Sequence, residues 1–160
     1  MKLERVWAMP NKHTFSIKPI KKLLKQEVKE PILDLFPYPY QRDALESIRN
    51  IPDESYQTVL YDPPYSPRQL KELYNGQGMA LTQELAQSYW TILKREVVRI
   101  LKPGGKCIKF GWNSCRIGKG FEIERILLVS HGKEHNDTIV TIQKKMNDSL
   151  SNNMGNKTHD

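Results

Sequence analysis

Apolar and polar positions follow each other along this chain at two spacings, one typical of helices and one typical of buried strands. In SIKPIKKLLKQEVK, lysines separate apolar residues that are spaced for one helix face: Ile17, Ile20, Leu23, Leu24 and Val28. Ser16 is a suitable N-cap, and Pro19 falls in the first turn, where its missing N–H does no harm. The pattern predicts an amphipathic helix with a basic outer face.

Three compact apolar runs predict buried strands: PILDLF, QTVLY and KCIKFGW at 106–112. Between the first two, RDALESIRN predicts a short helix. The longest helix is predicted from Thr82 to Leu101, ended by KPGG. The intervening DPPYSPRQLKELYNGQGMA is turn-rich and polar, which predicts an exposed loop that carries one helical turn.

The C-terminal part of the chain carries two further apolar runs. FEIERILLVSHG and NDTIVTIQKK predict two strands joined by a polar turn around His135 to Asp137. From Met146 onward the sequence is almost without apolar residues, which predicts a domain over 1–145 and a disordered tail over 146–160. The order of the elements predicts an α/β fold whose sheet ends in an antiparallel pair.

Composition narrows the class of protein. A chain of 160 residues is typical of one domain. No run approaches the roughly 20 apolar residues of a membrane-spanning helix, and MKLERVWAMPNK lacks the apolar core of a signal peptide, so we expect a cytoplasmic location. Cys107 and Cys115 are expected to be reduced. The formal net charge of +7 is compatible with a polyanionic partner, although a solvated basic face would have the same composition.

The tetrapeptide Asp62-Pro63-Pro64-Tyr65 directly follows a predicted buried strand. Ligands of open α/β sheets bind at the carboxyl ends of the strands, which is where this segment would lie. The prolines stiffen the backbone, while the Asp62 carboxylate and the Pro63 carbonyl are two acceptors that can converge on one point. Tyr65 adds a flat aromatic face.

This set of groups is suited to methylation of an exocyclic amine. The lone pair of such an amine on a nucleobase is delocalised into the ring, so that two acceptors holding its N–H groups would free it for attack on a methyl sulfonium. Tyr65 would stack on a base flipped out of a duplex. A simple turn after a strand is the alternative explanation of the same residues.

With the following ILKPGGKCIKFGW, the motif resembles the DNA adenine-N6 (amino) methyltransferases that use S-adenosylmethionine, particularly small archaeal and viral forms without a recognition domain. The resemblance covers about Trp7 to Lys145 and includes MPNKHTFSIKPIKKLL, DPPY, LKPGG and the C-terminal strands. It implies a Rossmann-like, mainly parallel sheet with one antiparallel strand and DNA as partner. It also implies adenine as target, because serine is commoner than aspartate at the first motif position in the cytosine-N4 enzymes.

The chain departs from this family at the cofactor segment. Members normally carry a D-x-F-A-G-like turn, then a helix and two strands, the second of which ends in an acid that holds the cofactor ribose. Here DLF runs straight into PYPYQRDALESI, without glycine and with no room for those elements. Since the missing strands lie at one edge of the family sheet, the resemblance implies a remnant of about five strands.

Part of a cofactor pocket is nevertheless implied by residues that match the family. Thr14, Phe15 and Lys18 match positions near the amino-acid end of S-adenosylmethionine, and Asp34 and Phe36 remain at the strand end. Asp43 matches a position that reaches the cofactor adenine. Helix-start signals would explain Asp43 equally well, and a basic helix face would explain Lys18.

Several other residues are weaker candidates. His131, His135 and Asp137 have loosely metal-like spacing but fall at a predicted turn without a clear fourth ligand, so we expect no metal. Trp112 and Asn113 follow a strand end and are plausible neighbours of the base. Other aromatic residues are expected in a loop or the core, and scattered basic residues on the surface; these are Tyr38, Tyr40, Trp90, Arg68, Lys71, Arg116 and Lys119.

The sequence therefore predicts a DNA adenine-N6 methyltransferase, with Asp62, Pro63, Pro64 and Tyr65 as catalytic residues. Two alternatives remain open. One is a non-catalytic relative or partner subunit that binds nucleic acid, which the missing glycine turn favours. The other is an RNA guanine-N2 methyltransferase, whose motif is similar. Oligomeric state and recognition sequence are not predicted.

Overall fold

The computed structural model describes residues 1–37, 43–64, 66–76, 78 and 83–147, with the side chains of residues 67 and 83–87 excepted. Six strands and four α-helices are assigned within these ranges. The strands are β1 (Lys2–Trp7), β2 (Ile32–Asp34), β3 (Tyr56–Tyr61), β4 (Leu101–Gly111), β5 (Phe121–Ser130) and β6 (Thr138–Lys145). The helices are α1 (Lys18–Glu27), α2 (Ala44–Arg49), α3 (Pro67–Gly76) and α4 (Gln83–Ile100), and a 3-10 turn at Thr14–Ser16 precedes α1.

All six strands form one sheet in the order β1-β5-β6-β4-β3-β2. The pairs β1–β5, β2–β3 and β3–β4 are parallel, whereas β6 is antiparallel to both of its neighbours. The expected α/β class, mainly parallel with an antiparallel C-terminal strand, is confirmed. Strand β2 lies at an edge of the sheet, beside β3.

The sheet is packed on both faces, because successive side chains of a strand point to opposite sides. On one face, α1 inserts Ile20 and Leu23 against Ile108, Phe110 and residues of β5 and β6. On the other, α2, α3 and α4 pack over β2, β3 and β4.

The predicted strands β2 to β6 and the helices α1, α2 and α4 are confirmed within a few residues. The sheet has six strands rather than about five, because β1 adds a parallel edge strand beside β5 that the sequence pattern did not reveal. Charged residues interrupt the apolar ones in its sequence KLERVW, so it lacks a continuous apolar run. Its Leu3 and Trp7 are exposed.

Three local predictions were wrong. Ser16 is not the N-cap of α1, since it ends the 3-10 turn and Ile17 takes the cap position without a side-chain hydrogen bond. The polar loop after the DPPY motif contains the ten-residue helix α3, whose Leu70 and Tyr74 are buried in the core. The KPGG segment belongs to β4, whose predicted start was Lys106.

Of the predicted tail, the structure describes only Met146 and Asn147. The Met146 N–H still donates to the Gly120 carbonyl at 2.8 Å, and residues 148–160 lie outside the described residues, as do Tyr38, Tyr40 and Tyr65. In the part of the chain that is described, no helix has the length and apolar character needed to span a bilayer.

Candidate functional site

The DPPY motif lies where three parallel strands end. Asp62, Pro63 and Pro64 follow β3 directly, with Pro63 and Pro64 buried and Asp62 half-buried. Asp34 at the end of β2 pairs in register with Leu60, and Tyr61 pairs with Lys109 of β4. The register brings the ends of β2 and β4 to either side of the motif.

A cavity of about 210 Å³ joins the motif to most of the predicted cofactor residues. Its lining includes Thr14, Phe15, Asp34, Phe36 and Asp62, which come from three separate parts of the chain. Asp34 and Asp62 give the cavity two carboxylates. The remaining lining residues are Lys12, His13, Ser16 and Pro37.

The 3-10 turn before α1 positions Thr14 and Phe15. The Ser16 N–H donates to the His13 carbonyl at 2.9 Å, and the Phe15 ring packs against Phe110 of β4 with 4.9 Å between centroids. On the opposite wall, Asp34 Oδ1 accepts the Phe36 N–H at 3.2 Å, which fixes the backbone after β2. Both walls are thus fixed by local bonds or core packing.

Two predicted cofactor residues are not part of this cavity lining. Lys18 is exposed in the first turn of α1. Asp43 is the N-cap of α2, where its Oδ1 accepts the Leu45 N–H at 2.8 Å and its Oδ2 accepts the Tyr74 hydroxyl at 3.0 Å. The helix-start explanation of Asp43 is therefore borne out by its hydrogen bonds.

A second cavity, of about 350 Å³, is lined in part by α3. It shares the lining residues Thr14 and Asp62 with the first, and the two together are called the cleft below. Helix α3 contributes Gln69, Glu72 and Leu73 to its lining. Because this segment was predicted to be a loop, the contribution of a helix to the cavity lining was missed. The spacing of Leu70, Leu73 and Tyr74 is nevertheless typical of a helix face.

A third cavity, of about 250 Å³, also has Pro63 in its lining. Its lining residues come from β3, β4, α4 and the segment after β4: Tyr61, Pro63, Trp90, Lys94, Lys109, Phe110, Gly111, Trp112 and Asn113. Trp112 and Asn113 share this lining with Pro63 of the motif, and their place beside a target base stays a prediction.

Trp90 and Lys109 were missed as site residues. The Trp90 indole N–H donates to the Pro64 carbonyl at 2.9 Å, so that α4 holds the motif directly. Lys109 is 6% exposed although it carries a charge. A lysine within a strand whose neighbours Ile108 and Phe110 are fully buried is anomalous, and this signal was available in the sequence run CIKFG.

Buried tyrosines underlie the motif without acting as bases. Burial raises the pKa of Tyr61 and Tyr89, and among the described residues their hydroxyls have no hydrogen-bond partner. Burial, followed by the hydrogen bond to Asp43, also raises the pKa of Tyr74. These phenols stay protonated at neutral pH.

The metal-like spacing around His131 has a structural explanation. Its Nδ1 lies 2.8 Å from the Ala8 carbonyl oxygen and its Nε2 lies 2.9 Å from Thr138 Oγ1, so the buried ring links the segment after β1 to β6. Within the described ranges, no group of three or more His, Cys, Asp or Glu side chains could hold a metal ion. Cys107 and Cys115 are both free thiols, the first buried and the second exposed.

No model of a known protein family matches this chain, and no curated protein matches it. Among solved structures, it is similar to TTHA0409 from Thermus thermophilus, named "Putative DNA Modification Methylase", with 18% identity and a TM-score of 0.43 over 75% of this chain. A selenomethionine form of that protein gives the same values. The chain is also similar to yhhF from Escherichia coli, named "Putative methyltransferase", with 10% identity and a TM-score of 0.37 over 89% of this chain.

The chain spans 56% of the length of the Thermus protein and 63% of that of the Escherichia coli protein. At these identities and TM-scores, what those proteins do carries no weight for this one. The function of this chain is therefore inferred from its own site.

Proposed function

We propose that this protein is a nucleic-acid methyltransferase that transfers the methyl group of S-adenosylmethionine to the N6 amine of a flipped adenine in DNA. The observation that supports this most is the cavity of about 210 Å³ in which Asp62 of the DPPY motif lies together with Thr14, Phe15, Asp34 and Phe36. Residues proposed for the methyl donor and for the target amine thus line one space.

The chemistry of this lining fits the amino-acid end of the donor. Asp34 and Asp62 would stabilise the donor's ammonium and sulfonium cations, while Lys12 and the Thr14 hydroxyl would hold its carboxylate. The volume is below the roughly 300–1,000 Å³ of sites that enclose a whole small molecule. The cavity therefore fits the methionyl part, and the adenosine would extend toward Pro37. When bound, the cofactor supplies an electrophilic methyl group on sulfur.

The residues of the motif would act on the amine. Asp62 accepts one N–H of the target and the Pro63 carbonyl accepts the other, which localises the nitrogen lone pair toward the methyl group. The hydrogen bond from the Trp90 indole occupies the Pro64 carbonyl and keeps the turn rigid. Tyr65 would stack on the base, since it follows the rigid prolines. The catalytic set is thus Asp62, Pro63, Pro64 and Tyr65.

DNA is the proposed partner. The net charge of +7 favours a polyanion, and Lys12 and Lys94 each line a cavity that also includes a residue of the motif. Phosphate contacts at these lysines would position a strand without reading its sequence.

Calorimetric titration with S-adenosylmethionine, with and without DNA, tests this proposal. We expect micromolar binding, reduced in Asp62→Ala, followed by transfer of a radiolabelled methyl group to adenine. No heat under either condition would refute the methyltransferase proposal. Parallel transfer assays on DNA and RNA would separate the adenine-N6 reaction from a guanine-N2 reaction on RNA.

A non-catalytic nucleic-acid-binding protein is the second candidate. The observation that favours it is the engagement of Asp43, whose carboxylate caps α2 and accepts from Tyr74 instead of facing the cofactor cavity. A gel shift with DNA, combined with no cofactor binding, would select this candidate.

A further inference from the structure

The cavity of about 250 Å³ beside Pro63 is basic and aromatic. Lys94 and Lys109 line it, together with Trp90 and Trp112, and none of its described lining residues is acidic. Such a lining favours a planar ligand with hydrogen-bond acceptors over a cationic one. It includes Pro63 of the motif in its lining and shares no lining residue with the cavity proposed for the methyl donor.

Lys109 is held at this cavity by the segment after β4. Its ammonium donates to the Asn113 carbonyl at 3.2 Å and to Asn113 Oδ1 at 2.8 Å. An ammonium group has three N–H donors, and within the described part of the chain these are its two hydrogen bonds. No carboxylate of the described residues forms an ion pair with it.

Burying an ammonium without a carboxylate partner costs free energy unless its hydrogen bonds are satisfied. Burial, the largest cause, lowers the pKa of Lys109; the nearby Cys115 raises it, and the neighbouring Lys94 lowers it. A ligand acceptor in the cavity would satisfy the third N–H. The wall formed by Lys109 and Asn113 is therefore preorganised to donate one hydrogen bond.

We propose that Lys109 reads the target base by donating this hydrogen bond to the ring nitrogen beside the amine that Asp62 and Pro63 hold. This inference rests on the proposed function, since it takes the ligand of this cavity to be the target base. In adenine, the amine lies between two acceptors, N1 and N7. In guanine, the N2 amine lies between N1, which carries a hydrogen, and N3, so that an ammonium could donate on only one side of it.

Lys109 is thus a specificity-determining residue, and Asn113 positions it. The Trp112 ring, half exposed beside the cavity, provides a surface on which the base can lie. Lys94 at the same cavity would meet the phosphate of the target nucleotide.

Binding of short thymidine oligomers with one central base tests the inference. The central base is 2′-deoxyadenosine, its 1-deaza analogue, its 7-deaza analogue or another thymidine, and affinity is read from the anisotropy of a terminal dye. For the wild type, we expect about tenfold weaker binding of one deaza analogue, the value of one hydrogen bond to a charged donor. Lys109→Met should bind the adenine oligomer about tenfold more weakly and no longer distinguish that analogue.

Lys102→Met is the matched control, because Lys102 lies at the other end of β4 and outside this cavity lining. It should keep the discrimination of the wild type. Equal affinity of the wild type for all oligomers would overturn the inference, even if Lys109→Met failed to fold. Unchanged discrimination in folded Lys109→Met would also overturn it.

Methyl transfer, measured separately, distinguishes this inference from the proposed function. If the protein distinguishes adenine from its deaza analogue through Lys109 but transfers no methyl group, only the proposed reaction is refuted. Transfer to adenine without such discrimination would refute the role of Lys109 alone.

Discussion

At the scale of single residues, the site depends on side chains that hold the backbone of the motif. The Trp90 indole spans from α4 to the Pro64 carbonyl, and Asp43 ties the start of α2 to Tyr74 of α3. Neither residue belongs to the motif itself. Trp90 fixes the turn of the motif, and Asp43 fixes the start of α2 against α3, the helix that contributes to the lining of the cleft.

Trp90→Phe should lower the free energy of unfolding by about 1–2 kcal/mol, because the buried Pro64 carbonyl loses its donor. Urea unfolding followed by circular dichroism measures this difference. Trp7→Phe is the control, with an expected change within about 0.5 kcal/mol, because Trp7 is 65% exposed. A Trp90→Phe variant as stable as the wild type would show that the indole does not hold the motif.

Asp43→Ala should cost about 1–2 kcal/mol, since α2 loses its cap and Tyr74 loses its acceptor. Asp43→Asn should cost less, because asparagine also caps helices well. Tyr74→Phe removes only the hydroxyl bond and isolates that part. Thermal melts of the three variants rank these effects, and equal losses for alanine and asparagine would contradict the capping role.

At the scale of elements, the local pattern of apolar residues was sufficient to predict a helix or strand wherever that pattern was strong. The strands β3, β5 and β6 carry dense apolar runs, and α4 has a long helical periodicity, so their existence and type followed from sequence. Strand β1 was missed because an edge strand need not be apolar. Helix α3 was missed because the flanking proline, asparagine and glycine indicated a loop, whereas burial of Leu70 and Tyr74 stabilises it as a helix.

The site was predictable only in part, because some of its contacts depend on how elements pack and not on local sequence pattern. The resemblance of the motif indicated Asp62 and its prolines, and the structure brings Thr14, Phe15, Asp34 and Phe36 to the same cavity. Sequence could not show that the Asp43 carboxylate is engaged by α2 and Tyr74. That contact depends on how two helices pack, which no local spacing encodes.

The KPGG segment makes a second prediction at this scale. A Cβ atom at Gly105 would lie 2.8 Å from the Lys102 carbonyl oxygen and 3.1 Å from that of Gln57, where β4 shifts register against β3. Gly105→Ala should therefore lose roughly 1–3 kcal/mol through overpacking.

The control for this variant is Gly76→Ala at the end of α3, because a Cβ there would meet no other described part of the chain within 4 Å outside the helix itself. We expect its free energy of unfolding to change by less than about 0.5 kcal/mol. Chemical denaturation would measure both, and a neutral Gly105→Ala would mean that the β4 backbone yields at this point.

At the scale of the whole molecule, a network of charges ties distant parts of the chain together. Glu27 at the end of α1 pairs with Lys106 of β4 and with Arg125 of β5, both at 3.0 Å. Arg125 also pairs with Glu4 of β1 at 2.6 Å. Four elements therefore meet at one half-buried cluster.

This network predicts a loss of stability in acid. Burial alone would raise the pKa of Glu27, but hydrogen bonds from Lys106 and Arg125 outweigh it and lower the pKa below the ordinary value of 4.5. The contribution of Glu27 is therefore fully present above about pH 4.5 and is lost as the pH falls through the lower folded-state value.

Glu27→Gln should be less stable than the wild type near pH 7 by roughly 1–2 kcal/mol, between the values of exposed and buried pairs. The difference should shrink toward zero well below pH 4.5. Urea titrations across this range measure it, with the exposed Glu122→Gln as control. A difference that stays constant with pH would rule out the ionised pair as its source.

The pairing of β1 with β5 has a consequence for how the chain is made. Lys2 lies opposite Arg125, so the first strand must wait for about 120 further residues before its partner exists. At typical rates of translation, this delay is roughly 6–25 seconds. During that time Leu3 and Trp7 would belong to an unpaired nascent segment on the ribosome, and a chaperone that recognises extended apolar peptide would meet this segment before the sheet could close over it.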